Sequence, residues 1–519
     1  MGDLGLGSWP MRRARISPDA PAMQQADRSY SYRELATRVD ALAAGLAARG
    51  VRHGDRIAYL GPNDIAAFET FFAAGRLGSV FVPLNTRLTA PEISYLLGDS
   101  AASVLVYRPE VSGLVAEALS AGLSLELLVA VDRADGPGGL DYESLIAEPV
   151  RELDGAQRSG RGASVGLDDD ALILYTSGTT GQPKGAVLTH GNITFNTMNQ
   201  LAHTDVRSSD RVLCSAPIFH VVGLGQVTLP TLFKGGTIVV APKFDAATVL
   251  EMVPKLGITA FAAVPTMLQM MCDAPSFAEE DLGSLRYIVY GGSSVLARVA
   301  DAWIGRGIDV VQGYGMTEAA PGVLLAVPEG VADHQVSPGV PHFFTDVALL
   351  TADGSIIPPP GTGELLVRGP NVFRGYRNRP DDTAQAFADG WFRSGDVVRL
   401  DPDGWGYVVD RVKDMIISGG ENIYPAEVEA AIADLPGVLD CAVVGVPDSV
   451  WGEVGFALVV GRPDITITVA DVHDHLAGRL ARFKVPKYVR QVTDLPRNAT
   501  GKVLKTRLRE MALGWTEHA

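Results

Sequence analysis

Residues 175–185 read Tyr-Thr-Ser-Gly-Thr-Thr-Gly-Gln-Pro-Lys-Gly, a run of hydroxyls and glycines closed by Lys184. Glycine lets the backbone turn sharply and approach an anion closely. The N–H groups here, with the hydroxyls of Thr176, Ser177, Thr179 and Thr180, can then face phosphate oxygens. Gly178 and Gly181 clear the approach, and Lys184 adds a compact positive charge. A flexible Ser/Thr/Gly surface loop has the same composition. Against that stands the apolar run 171–174, Ala-Leu-Ile-Leu, which reads as a buried strand leading into the loop. No Gly-Lys-Ser/Thr follows a glycine at the right distance, so this is not the Walker pattern.

Other residues make sense only beside a phosphate. Glu318 follows the turn Gly313-Tyr314-Gly315-Met316-Thr317. A carboxylate there can share Mg²⁺ with phosphate oxygens, since Mg²⁺ is a hard cation. Taken alone, Thr317-Glu318 is better read as a capped helix start. Asp396, in Ser394-Gly395-Asp396, can accept from a ribose diol, but alone it is an ordinary turn residue. Arg411 can meet the same ribose or a phosphate, or lie solvated at the surface. His220 ends Ala216-Pro217-Ile218-Phe219 and is either a structural histidine or a polar gate at an apolar pocket. Lys502, in Thr500-Gly501-Lys502, reaches a reacting atom only if its domain folds over the site. Residues 479–509 hold ten Lys/Arg against the single acid Asp494. Such a patch suits an anionic partner or a solvated helix face.

The elements that must position these groups alternate. Ser31 and Glu34 form a capping box ahead of a helix carrying Leu35, Val39, Leu42 and Leu46. A strand over 56–60, a helix over 65–77, a strand over 80–83, a helix capped by Thr89 and Glu92, and a strand over 103–107 follow. The pattern resumes after the phosphate loop, with a helix over 192–201 and strands over 211–215, 237–240, 258–264, 285–290 and from 310. It predicts an α/β layered domain with a mainly parallel sheet. Ligands gather at the carboxyl ends of such strands. The turns after Leu174, Tyr290 and Gln312 are therefore expected on one edge. Residues 340–410 read as a small β-rich subdomain. The remainder reads as an α+β domain, with helices over 426–435 and 469–480 and strands over 441–446 and 456–460.

Length and composition bound the answer. A chain of 519 residues exceeds one ordinary core, so two or more domains are expected. A formal charge of −16 argues against a nucleic-acid binder. Cys214, Cys272 and Cys441 have no paired spacing, which fits buried thiols in a reducing cytoplasm. No apolar run is long enough to span a bilayer. No apolar h-region follows Arg12, Arg13 and Arg15, so a signal peptide is not indicated. These arginines read as a solvated tail, with weak contact to a membrane surface as the alternative.

Together and in this order, the motifs resemble the adenylate-forming superfamily, which includes acyl-CoA synthetases, peptide-synthetase adenylation domains and beetle luciferases. The matching stretches are 175–185, 313–318, 394–396, 411–425 and 498–505. The run Ser418-Gly419-Gly420-Glu421-Asn422-Ile423-Tyr424-Pro425 is similar to fatty acyl-CoA and benzoate-type ligases. The resemblance implies a large N-terminal domain, 1–412, of layered α/β subdomains plus a small β-barrel-like subdomain. A small mobile α+β domain, 413–519, follows a hinge at Lys413.

The implied reaction has two steps. A carboxylate attacks the α-phosphorus of Mg·ATP to give an acyl-adenylate and pyrophosphate, and the thiol of coenzyme A then displaces AMP. By resemblance, Lys502 bridges the carboxylate and the α-phosphate, while Thr176 and Glu318 hold Mg²⁺. ATP and AMP lie against residues 176–181, Lys184, Gly291, Gly292, Ser293, Gln312, Gly313, Tyr314, Gly315, Met316 and Thr317. Asp396 and Arg411 take the ribose. Ser418, Gly419 and Gly420 approach the pantetheine. The acyl pocket is implied at His220, Val221, Val222, Val264, Thr266, Gly315, Met316, Ala319 and Pro321. Its small apolar residues suggest an open tunnel, so a medium- or long-chain fatty acid is the main expectation. An aryl or bulky polycyclic acid, a carrier-protein thiol acceptor, and a nucleotide-binding protein without catalysis are the alternatives.

Overall fold

The computed structural model of the chain describes residues 3–120, 122–132, 139–147, 164–176, 183–291, 297–327, 334, 337–411, 414–418, 421–449, 451–477, 479–480, 482–497 and 502–516. They fall into two compact units, 1–346 with 367–392, and 347–366 with 393–519.

Local signals in the first unit become the elements they predict. The Ser31–Glu34 capping box opens the helix Tyr32–Ala48. Asp64 caps Ile65–Leu77, whose end is marked by Gly78 in left-handed conformation. Thr89 and Glu92 box the start of Ala90–Ser100. The strands assemble into two sheets. One has eight strands, in the order Gly375–Tyr376, Lys184–Thr189, Asp170–Thr176, Val80–Leu84, Arg56–Leu60, Val104–Tyr107, Leu127–Ala130 and Leu140–Asp141. The other has nine, running from Val340–Pro341 through Gly322–Leu325, Asp309–Gly315, Tyr287–Tyr290, Ala260–Ala263, Arg211–Cys214 and Thr237–Val240 to Pro21–Gln25 and Arg28–Ser31. The central pairs are parallel in both.

This division corrects the single ligand edge. Tyr290 and Gln312 are register partners, so the turns that follow them emerge side by side. The strand before the phosphate loop belongs to the other sheet. It pairs with Val80–Leu84 on one side and folds back antiparallel onto Lys184–Thr189 on the other. The strands on either side of the loop thus pair antiparallel, and the second of them has no counterpart in the sequence reading.

The N-terminal arginines are not a solvated tail. They lie on the helix Trp9–Ile16, where Arg12 donates to Ser8 Oγ and to the Asp3 carbonyl. Arg13 donates to Ser17 Oγ and lies over the Tyr32 ring. Arg12 and Arg15 remain exposed. Among the described residues no helix is long and apolar enough to cross one.

The second unit carries a six-stranded sheet that includes Trp391–Leu400 and Gly406–Arg411. It also carries a five-stranded sheet built on the long hairpin Val438–Asp448 and Gly452–Gly461. The helix expected over 469–480 ends at Leu476, because Ala477 turns to extended backbone just ahead of Gly478. Half of the basic residues in 479–509 pair with acids of the same unit. Arg479, Lys484, Lys487, Arg497 and Lys505 pair with Asp434, Glu427, Asp448, Asp440 and Glu429. Acids from the helix Pro425–Ala433, the residue after it and the first hairpin strand thus meet the patch that suggested an anionic partner.

Candidate active site

The hairpin fixes both ends of the phosphate loop. Thr176 and Lys184 are register partners, and Thr176 Oγ1 donates to the Lys184 carbonyl at 3.4 Å. Ser177, Gly178, Thr179, Thr180 and Gly181 lie outside the described residues. Lys184 is half-buried, and its Nζ sits 2.6 Å from Asp382 Oδ1 and over the Tyr376 ring at 5.4 Å. Sheet pairing causes the meeting, since Gly375–Tyr376 adds onto Lys184–Thr189. The helix Pro380–Gln385 then places Asp382 in its first turn.

The same edge holds Glu318. Thr317–Ala319 forms one 3₁₀ turn, and Met316, not Thr317, precedes it, so the capped-helix reading fails. The Glu318 carbonyl accepts from the Phe373 N–H at 2.8 Å. Its carboxylate accepts from the Tyr376 hydroxyl at 2.7 Å. Burial and the Glu318 charge push the Tyr376 pKa up, so the phenol stays a donor. A carboxylate oriented by a buried hydroxyl fits a magnesium ligand. No cluster of three or more potential metal-ligating acids, histidines or cysteines exists among the described residues.

On the neighbouring sheet, Gly291 and Gly313 lie against each other at the ends of adjacent strands. A Cβ on Gly291 would meet the Gly313 carbonyl at 3.0 Å. The Tyr290 hydroxyl donates to Gln312 Oε1 at 2.9 Å, pinning the strand ends. Tyr314, Gly315 and Met316 continue from this edge. Gly292 and Ser293 lie outside the described residues.

His220 precedes the short helix Val221–Gly225, with its ring edge-on to Phe219 at 4.7 Å. Burial, aided by Arg87, pulls its pKa down to about 4, so the imidazole is neutral near pH 7. Its Nε2 is buried without a hydrogen-bond partner among the described residues. The glycines after it sit where a side chain would not fit. A Cβ on Gly223 would collide with the Pro217 carbonyl, and one on Gly225 would lie 2.5 Å from Pro321 Cδ. The Pro217 carbonyl and the Pro321 ring occupy the space that side chains there would need. Val221 and Ala319 are buried, whereas Val222, Thr266 and Met316 are half-buried. Thr266 sits in the first turn of Pro265–Asp273, and Val264 packs on the core beneath it.

The remaining candidates belong to the second unit. Asp396 is buried and is the register partner of Arg411 on the adjacent strand. Ser418 is buried at the end of Ile416–Ser418, opposite Glu421 and Gly452. Gly419, Gly420 and Lys413 lie outside the described residues. Lys502 is exposed, on a loop closed by the Arg497–Val503 bridge and by the Leu504 N–H donating to Pro496. The thiols of Cys214 and Cys272 are pushed up to about 12 and about 11 by burial, and that of Cys441 is pushed up too, so none is a ready nucleophile.

Sequence reasoning missed Tyr376 and Asp382. The run Gly375-Tyr-Arg-Asn-Arg-Pro-Asp-Asp is rich in functional groups, but nothing local ties it to Lys184, nearly two hundred residues earlier.

Comparison with known proteins matches this arrangement. The AMP-binding enzyme profile matches residues 11–377, and that of the AMP-binding enzyme C-terminal domain matches residues 427–502. The chain is 50% identical over 509 residues to a feruloyl-CoA synthase of Amycolatopsis sp, covering 98% of this chain and 99% of that one. It is 38% identical over 506 residues to a long-chain-fatty-acid–CoA ligase of Mycobacterium tuberculosis, covering 97% of each. The o-succinylbenzoate coenzyme A synthetase of Bacillus subtilis, solved with ATP and magnesium ion, superposes with a TM-score of 0.83 at 31% identity, covering 96% of this chain and 99% of that one. The chain belongs to the AMP-binding enzyme family, as an AMP-forming acyl-CoA ligase.

Proposed function

We propose that the acid activated by this ligase is an aryl acid of the hydroxycinnamate class, and that it is transferred to coenzyme A. The observation that carries this is the 50% identity, across almost the whole of both chains, to a feruloyl-CoA synthase. The fatty-acid reading stands second, on the 38% relative.

In the first step, ATP is held by the hairpin loop and Lys184, with its adenine between Gly291–Gly292 and Tyr314 and its ribose on Asp396 and Arg411. Glu318 and Thr176 would hold Mg²⁺, which would supply charge neutralisation at the phosphates. Lys502 steadies the acid carboxylate against the α-phosphate. Adenylation needs positioning and charge neutralisation more than covalent help. In the second step the lid turns at Lys413, withdrawing Lys502 and bringing residues 418–420 to the thiol-bearing arm. His220, neutral at working pH, stands by the pocket as a hydrogen-bonding gate.

A panel of cinnamic, benzoic and C8–C16 fatty acids, scored for AMP release with and without coenzyme A, tests the reading. The aryl reading predicts coenzyme A-dependent turnover that is fastest with hydroxycinnamates. Turnover with fatty acids alone would replace it by the second reading.

A further inference from the structure

We infer that Gln226 is a specificity-determining residue that reads a polar ring substituent, a phenolic hydroxyl, on the acid. The inference rests on the aryl-acid reading. Gln226 directly follows the helix Val221–Gly225 and is only 8% exposed. The turn that carries it is fixed, because Asn196 Nδ2 donates to the Gly225 carbonyl at 2.9 Å. Its amide lies over the carboxyl ends of the two strands that form the site edge. Gln226 Nε2 is 3.3 Å from where a Cβ on Gly291 would sit and 3.7 Å from where one on Gly313 would sit. A side chain at Gly291 would press on the amide and one at Gly313 would touch it, so backbone and amide pack closely at this edge.

Gln226 Oε1 is buried with no hydrogen-bond partner among the described residues. A buried carbonyl oxygen left unpaired is costly, and such atoms are few in folded proteins. A hydrophobic pocket for an alkyl chain gains nothing from an amide here. A phenol supplies the missing partner by donating its O–H to Oε1. Sites built to bind a hydroxyl reject the analogue that lacks it far more strongly than apolar pockets sort chain length.

The test compares 4-hydroxycinnamate with cinnamate, which differ by one hydroxyl, in the wild type and in Gln226→Leu and Gln226→Met. Both variants keep bulk and remove the acceptor. The wild type is expected to favour the hydroxylated acid in kcat/KM. Both substitutions should collapse that preference by about tenfold to a hundredfold, lowering turnover of the hydroxylated acid and sparing or raising that of cinnamate. An equal fall with both acids would mean that Gln226 is structural and would overturn the inference while leaving the aryl-acid reading intact. A wild type that turns over fatty acids and neither cinnamate would overturn both. Should Gln226→Leu fail to fold, Gln226→Met and the wild-type preference still decide the matter, since a wild type indifferent to the hydroxyl contradicts the inference alone.

Discussion

The Tyr376 hydroxyl donates to Glu318 Oε1 at 2.7 Å, joining an edge strand of one sheet to the turn that closes a strand of the other. Groups that orient a metal-binding carboxylate affect metal affinity strongly when removed, by about tenfold or more. Tyr376→Phe is therefore expected to raise the Mg²⁺ concentration for half-maximal pyrophosphate–ATP exchange by about tenfold, at unchanged affinity for the acid. Titration of exchange with Mg²⁺ checks this. An unchanged midpoint would remove Glu318 from the metal site.

Asp382 holds Lys184 in an ion pair, which the nucleotide phosphates would displace under the proposed function. Both side chains are partly exposed, so the pair is worth ~1 kcal/mol or less. Asp382→Asn is expected to lower the KM for ATP roughly twofold to fivefold. The melting temperature should hardly move. A raised KM would show instead that Asp382 positions Lys184 for the phosphates.

Lys502 is expected to serve only the first step. Lys502→Ala should slow adenylation about a hundred- to a thousandfold, the usual cost of losing one preorganised electrostatic contact. Formation of the CoA ester from a preformed acyl-adenylate should survive. Single-turnover assays of the two half-reactions separate these outcomes, and equal loss of both would contradict the assignment.

His190 links acidity to stability. It is buried, and its Nδ1 accepts from the Leu6 N–H at 3.1 Å, which a protonated ring cannot do. Burial pulls its pKa down to about 4 from 6.5. Between those values the unfolded chain binds the proton and the folded chain does not. Stability is complete above pH 6.5 and is lost as pH falls toward 4, by about 3 kcal/mol for this group. His190→Gln keeps an acceptor without the ionisation. Chemical denaturation from pH 7 to 4 should show a shallower decline for this variant than for the wild type.

Where chemistry is local, the sequence was readable. Capping boxes at Ser31 and Thr89 predict the helix starts that form, and the helix expected over 65–77 has those bounds. The adenylate-forming family could be recognised because its motifs are short and ordered. What stayed hidden depends on pairing across long separations. Membership of two sheets rather than one is decided by the register of Asp170–Thr176 against Val80–Leu84. The partners of Lys184 and Glu318 come from residues 376 and 382, which reach them only because Gly375–Tyr376 adds to the hairpin. The glycines after His220 suggested empty space, but a missing side chain marks equally well a place where backbone packs on backbone. The basic stretch 479–509 hinted at a partner because its neutralising acids lie earlier in the chain.

The choice of acid is tested most directly by competition. Wild-type enzyme with limiting ATP, coenzyme A and equal concentrations of ferulate and decanoate is quenched early, and the CoA esters are quantified by mass spectrometry. An aryl-acid ligase is expected to give feruloyl-CoA in at least about tenfold excess, the discrimination that a pocket with a polar contact readily supplies. Decanoyl-CoA as the main product would contradict it.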